Sequence, residues 1–208
     1  MTEEIRSSSG YDRPVINIQG ERVALGPLRR DLIPSYVRWE NDFGTRRTDD
    51  PAEARPVTLE EATNEYDDWV KSGTTRSIRF TIYLVGSWRP IGVTVLRDLD
   101  WHNRNAVFGI MIGESECRGK GYGTEATRLT LDQAFTVMSL HNVMLDALAI
   151  NPAGLRAYEK AGFREIGRRR ESALVNGRFW DTVFMDCLAR EFESPVLKRL
   201  YEPDSPRG

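Results

Sequence analysis

The sequence predicts a mixed α/β chain of the α+β kind: a mostly antiparallel, twisted sheet with one central strand-loop-helix-strand crossover and flanking helices. Three observations lead there. Residues 77–113 hold three alternating apolar runs, "SIRFTIYLV", "IGVTVLRDLDW" and "AVFGIMIG", joined by "SWRP" and "HNRN". Connections that short join antiparallel neighbours, because a parallel pair needs a long crossover. After them "CRGKGYGTEA" (117–126) opens a helix-forming run and "NVMLDALAI" (142–150) returns as a strand, which makes one crossover unit. Asn176-Gly177 then divides two more strand-like runs, a strong two-residue hairpin signal.

The elements follow in order. Residues 1–20 are expected to be a flexible arm, with Ser7-Ser8-Ser9-Gly10 and Pro14. "ERVALGPL" (21–28) alternates enough for a first strand. "RDLIPSYVRWEND" (30–42) sets Leu32, Tyr36 and Trp39 at helical spacing. "TDDPAEARP" (48–56) is a loop. Thr58 and Glu61 form a capping-box pattern for a helix striped with Leu59, Ala62, Tyr66, Trp69 and Val70. Past the three strands, a helix over about 122–139 carries Thr127, Leu131, Ala134, Phe135 and Met138 on one side. The helix at 153–161 stops at Gly162, the residue just past its end. The folded domain is expected to span 21–192, and 193–208 to form a tail.

A chain of 208 residues suits one domain with a substantial core. The net charge of −2 gives no bulk attraction for nucleic acid, so none is expected as a partner. "MTEEIRSSSG" lacks the basic start and apolar run of a secretory signal. No run of 18 apolar residues suggests a membrane span. Cys117 and Cys187 have no metal spacing and make no disulfide scaffold. A reduced, cytoplasmic home is expected. His102 and His141 lack partners at ligand spacing, so no metal site is expected.

The glycine loop carries the chemistry. A helix N-terminus presents amide groups without helical partners and the positive end of the aligned peptide dipoles. Anions settle there. Gly119, Gly121 and Gly123 remove side chains that would keep a phosphate from the backbone, while Arg118 and Lys120 add charge. The expected ligand is a phosphate or pyrophosphate. A nucleoside-triphosphate loop fits badly, because the spacing from Gly113 to Gly119-Lys120 is one residue too long and Gly121 stands where Ser or Thr belongs. "GYGTEA" also fits a dinucleotide fingerprint, but it follows an antiparallel meander and the next strand ends in Ile150-Asn151 without a ribose-binding acid.

"RGKGYG" (118–123) resembles the Q/R-x-x-G-x-G/A signature of the GNAT superfamily of acyl-CoA-dependent N-acyltransferases. "IGVTVLRDLDWHNRNAVFGIMIG" (91–113) resembles that family's paired strands before the loop, and "NPAGLRAYEKAGF" (151–163) its N-x-x-A-x-x-x-Y-x-x-x-G-F segment. The similarity runs from about 21 to 190 and is greatest to the branch of ribosomal-protein and spermidine acetyltransferases. Gly154 departs from it, since the family often has Ala or Ser there.

The resemblance implies an N-acetyltransferase with acetyl-CoA as co-substrate. Its pyrophosphate would rest on backbone amides of Gly119, Lys120, Gly121, Tyr122, Gly123 and Thr124, beside Arg118. Its pantetheine arm would pair with Ile110, Met111 and Ile112 between two splayed strands. An N–H near Ile112 would polarise the thioester carbonyl for direct attack through a tetrahedral intermediate. Asn151 would lie against the co-substrate, and it also reads as a helix N-cap. Tyr158, two helical turns later, would protonate the departing thiolate. By position Glu114, at the end of the splayed strand, is a candidate to take the amine proton, with Asp98, Asp100, His102 and water as other candidates.

Residues 31–75 are rich in acid, among them Glu40, Asp42, Asp49, Asp50 and Glu53, which would attract a cationic acceptor; Arg46-Arg47 weaken the case for a polyamine. A small-molecule amine and a protein N-terminus both stay open as acceptors. A homodimer stays open, as does a catalytically silent acyl-CoA-binding module.

Overall fold

A computed structural model describes residues 13–48, 55–73 and 77–202. The strands are β1 (Ile18–Gln19), β2 (Val23–Pro27), β3 (Ser77–Leu84), β4 (Pro90–Asp100), β5 (Asn105–Ile112), β6 (Asn142–Leu148), β7 (Arg164–Val175) and β8 (Arg178–Leu188). The helices are α1 (Ile33–Glu40), α2 (Phe43–Arg46), α3 (Leu59–Ser72), α4 (Tyr122–Asp132) and α5 (Pro152–Ala161). One eight-stranded sheet runs in the order β1-β2-β3-β4-β5-β6-β8-β7. Its neighbours are antiparallel except β5 and β6.

The two faces of the sheet have different covers. Thr94 on β4 meets Thr130 of α4 at 3.2 Å, and Leu131 of α4 packs with Leu96, Phe108, Leu145, Val183 and Met185. Val93 lies one residue from Thr94, so it points to the opposite face. Thr81, its partner across β3, receives Tyr36 of α1 at 2.6 Å on that opposite face. Burial pushes the Tyr36 phenol up to about 12, so it stays neutral there.

The ends of the domain extend past their expected limits. Ile18, expected in the arm, is buried and opposite Leu25. Beyond residue 192, Leu197 is buried as well. Asp132 explains this: its fully buried carboxylate accepts the N–H groups of Val196 at 3.0 Å and Leu197 at 2.8 Å. A buried carboxylate needs such donors. The helix expected to continue to 139 changes at this aspartate into a π-helical turn, Gln133–Val137, with Met138 donating to the Gln133 carbonyl at 3.1 Å.

Gly113, just past β5, seats α1 on the sheet. A Cβ there would lie 2.2 Å from the Trp39 indole, which is only 1% exposed. Gly113→Ala is expected to destabilise the fold by about 1–3 kcal/mol through overpacking. The urea midpoint measures it, and an unchanged midpoint would mean that the indole yields freely.

Candidate active site

The parallel pairing of β5 and β6 covers only Asn105↔Asn142, Ala106↔Val143 and Val107↔Met144. Beyond it the strands part and leave a groove of about 1140 Å³, lined among others by Ile110, Met111, Ile112, Leu148, Asn151 and Tyr158. Such a volume suits a coenzyme-sized ligand.

The glycine loop stands at one end of the groove. Gly119 and Gly121 have φ of 70° and 83°, left-handed values that favour glycine. Gly121 is the N-cap of α4, without a side-chain cap, and the first helical bond runs from the Glu125 N–H to the Gly121 carbonyl at 3.1 Å. The amides of Tyr122, Gly123 and Thr124 therefore have no acceptor inside the helix. Gly119, Gly121, Gly123 and Thr124 line the groove; Lys120 and Tyr122 stand outside its wall. The Lys120 carbonyl instead accepts from Arg22 Nη1 at 2.9 Å, and the same guanidinium pairs with Glu125 at 3.0 Å and lies over the Tyr122 ring. Arg22 clamps the loop from far away in sequence, and no local signal marked it.

Arg118 lines the groove, but most of its donors are spent on protein. Nε donates to the Ile112 carbonyl at 3.0 Å, Nη1 to the Gly44 carbonyl at 3.2 Å and Nη2 to Thr45 Oγ1 at 2.6 Å. It fastens α2 to the end of β5. Asp42 caps α2 from the other side, and the Thr45 hydroxyl and the Gly44 amide hold its carboxyl below the usual carboxylate value. The expectation that Arg118 offers its charge to a phosphate gives way to this clamping role.

Glu114 also departs from expectation. Its carboxylate accepts from Arg38 and, at 2.9 Å, from Trp39 Nε1. It braces α1 and stands outside the groove wall, so it is badly placed to take a substrate proton. Asp98 pairs with Arg97 at 2.8 Å, Asp100 accepts from the Asn103 amide at 2.8 Å, and His102 sits exposed in the same turn. None of them lines the groove. Asp49, Asp50 and Glu53 lie outside the described residues.

Strand alternation decides which backbone groups face the gap. Gly113 donates to the Ile91 carbonyl at 2.9 Å, and β5 is in unbroken register with β4 from Ile112 to Val107. Met111, two residues back, therefore turns its peptide groups to β4, while Ile110 and Ile112 turn theirs into the gap. Of the three residues expected to pair with an extended ligand, Ile110 can do so through both its peptide groups and Ile112 through its N–H, since its carbonyl accepts from Arg118, while Met111 can offer only its side chain.

Asn151 Oδ1 accepts the Gly154 amide at 2.9 Å, so it caps α5 while lining the groove. A Cβ on Gly154 would come within 2.4 Å of Asn151 Nδ2, which accounts for glycine there. Tyr158 also lines the groove, with its ring edge-on to Phe108 at 6.3 Å and to Phe163 at 6.2 Å between centroids. It is level with Phe108, nearer the middle of β5 than Ile112. Cys117 lines the groove too, and its Sγ accepts from Arg89 at 3.2 Å; burial pushes the Cys187 thiol up to about 12. Among the described residues no group of side chains could hold a metal, and no helix is long and apolar enough to cross a membrane.

The Acetyltransferase (GNAT) domain family matches residues 22–164, which span the clamp, the splayed strands, the loop and α5. The chain belongs to the GNAT acetyltransferase family. This places it among the acetyl-CoA-dependent N-acetyltransferases, as the motifs implied. The GNAT domain is similar to the spermidine N(1)-acetyltransferase of Escherichia coli (strain K12), 28% identical over 172 residues, 82% of this chain and 88% of that protein. The Vibrio cholerae enzyme of the same name is 33% identical over 102 residues, which span 49% of this chain and 58% of that protein's length. The crystal structure of spermidine N-acetyltransferase from Vibrio cholerae in complex with CoA and spermine superposes with a TM-score of 0.73 at 25% identity, covering 81% of this chain and 96% of that one.

Proposed function

We propose that this GNAT domain acetylates a primary amine, with acetyl-CoA held along the groove and the amine entering from the face covered by α1 and α3. One observation carries the reading: the unpartnered amides that open α4 and the unpaired edge of β5 meet in a single groove. The amides of Tyr122, Gly123 and Thr124 suit a pyrophosphate. The peptide groups of Ile110 and the Ile112 N–H suit the amides of an extended arm, in the manner of an added strand.

The neutral amine attacks the thioester carbonyl carbon. The Ile110 N–H, which faces the gap two residues nearer Tyr158 than Ile112, is the donor best placed for the developing oxyanion; this moves that role two residues from Ile112. The C–S bond breaks, Tyr158 gives its proton to the thiolate, and water removes the proton that the amine nitrogen sheds. Glu114, turned to α1, takes no part.

Two measurements test this. Acetyl-CoA at about 100 times its Kd is expected to stabilise the protein by about 2.7 kcal/mol, read as a rise in Tm. CoA release should then depend on an added amine. Stabilisation by NAD(P) and none by acetyl-CoA would overturn the reading.

A further inference from the structure

The acceptor side of the groove has a distinctive charge pattern. The face covered by α1 and α3 is the one to which Val93, Val95 and Arg97 point. Across the gap, Asp146 and Phe184 are register partners, and they alternate with Leu145, Val183 and Met185, which belong to the α4 side. On this face the charged residues of the groove, besides Arg118 in its clamp on α2, are Glu40, Arg46, Arg47, Arg97, Asp146 and Arg169. Only one of the two acids is tightly held, because Arg97 makes its short contact with Asp98, at 2.8 Å. Glu40 pairs with Arg46, and Asp146 with Arg97 at 3.7 Å.

Arg47 and Arg169 have no acidic partner among the described residues. They stand on opposite lips of the gap. Arg47 follows α2, which Arg118 ties to the end of β5. Arg169 is opposite Thr182 on β8, and Thr182 is opposite Leu148 on β6. Met111 and Phe184 add apolar wall between them. Arg156 and Lys160 also line the groove, but they belong to α5 on the other face.

A polyamine brings several positive charges and needs carboxylates to receive them. This wall offers one loosely held carboxylate, Asp146, against two guanidiniums, those of Arg47 and Arg169, that have no acidic partner among the described residues. Guanidinium forks match carboxylate and phosphate geometry. We propose that the acceptor is a primary amine that also carries an anionic group, a carboxylate or a phosphate, held by Arg169 and Arg47 while the amine reaches the middle of β5. The proposal rests on the acetyl-transfer reading above and names its substrate class. The relatives named for spermidine share the fold; specificity is a difference of affinities, and unpaired charges on a wall are one way to set it.

The test uses terminal amines of matched length: pentylamine, cadaverine, an aminopentanoate and an aminopentyl phosphate, with spermidine alongside. Calorimetry measures their binding to the CoA-loaded protein, and CoA release measures turnover. At least one acid-bearing amine is expected to exceed pentylamine and cadaverine by about tenfold or more in kcat/KM, the scale of one partly exposed charge contact. Comparison of its two acid-bearing arms tells carboxylate from phosphate. Arg169→Glu should reverse the order toward cadaverine and leave the KM for acetyl-CoA unchanged. Preference of the native protein for cadaverine or spermidine would overturn the proposal, as would an order unmoved by Arg169→Glu. Absence of binding by both acid-bearing amines would overturn it too. Failure of acetyl-CoA itself to stabilise the protein is a separate result and strikes the underlying reading first.

Discussion

Tyr158→Phe is expected to lower the single-turnover rate of acetyl transfer about 10²-fold, equivalent to about 2.7 kcal/mol of transition-state stabilisation. The substitution is clean because the ring is held by packing. Tyr158 rests edge-on against Phe108 and Phe163, and both contacts survive in Phe. The helix that carries it is fixed at both ends, by the Asn151 side chain at the start and by Gly162, with φ of 117°, at the finish. Acetyl-CoA binding should therefore change little, since the lost hydroxyl acts on charge that develops late. Single turnover with a competent amine isolates the chemical step. An undiminished rate would return Tyr158 to a packing role and leave water to protonate the thiolate.

Gly121→Val should raise the KM for acetyl-CoA at least about tenfold, since it puts a branched side chain where a pyrophosphate must touch backbone. The sequence alone suggests that only the ligand would notice. The structure adds two costs in the protein itself. Gly121 has φ of +83°, and its Cβ would stand 3.0 Å from Arg22 Nη2 in the clamp. A left-handed conformation costs a side-chain-bearing residue about 1–2 kcal/mol, so stability should fall together with affinity. Gly119→Ala separates the effects. Its φ is +70°, but a Cβ would meet nothing within 4 Å, so strain comes without crowding. If Gly121→Val folds and keeps its KM, the loop does not hold the co-substrate.

The meander and the crossover were legible because their signals are local. Alternation marks β3, β4 and β5, the glycine loop marks the start of α4, and Asn151 with Gly162 marks both ends of α5. β1 left too little alternation to be seen, being only two residues long. Asp132 looked like any polar residue on a helix, and only its contacts with Val196 and Leu197 reveal why the domain continues past its expected end. The site residues divide in the same way. Tyr158, Asn151 and the glycines are placed by their own helix or loop, and they line the groove. Arg118 and Glu114 bond protein groups that the sequence did not point to, because charge alone does not say where a side chain is spent. Their partners, Thr45 and Trp39, lie more than 70 residues away. The orientation of Met111 depends on the parity of strand pairing, which a run of apolar residues does not encode.

The early end of pairing between β5 and β6 also bears on how the chain avoids aggregation. Most sheets keep their unpaired edges at the rim, where a strand from another molecule can add to them. Here the peptide groups of Ile110 and the Ile112 N–H form an edge in the interior of the sheet, roofed by α4 on one face and by α1 on the other. A slender, flexible molecule can thread between those roofs, whereas a neighbouring chain's strand, with side chains on both sides, is too broad. On the proposed reading the co-substrate would complete the sheet as well as supply the acetyl group, and a cell short of it would leave this protein with a hydrogen-bonding seam open at its centre.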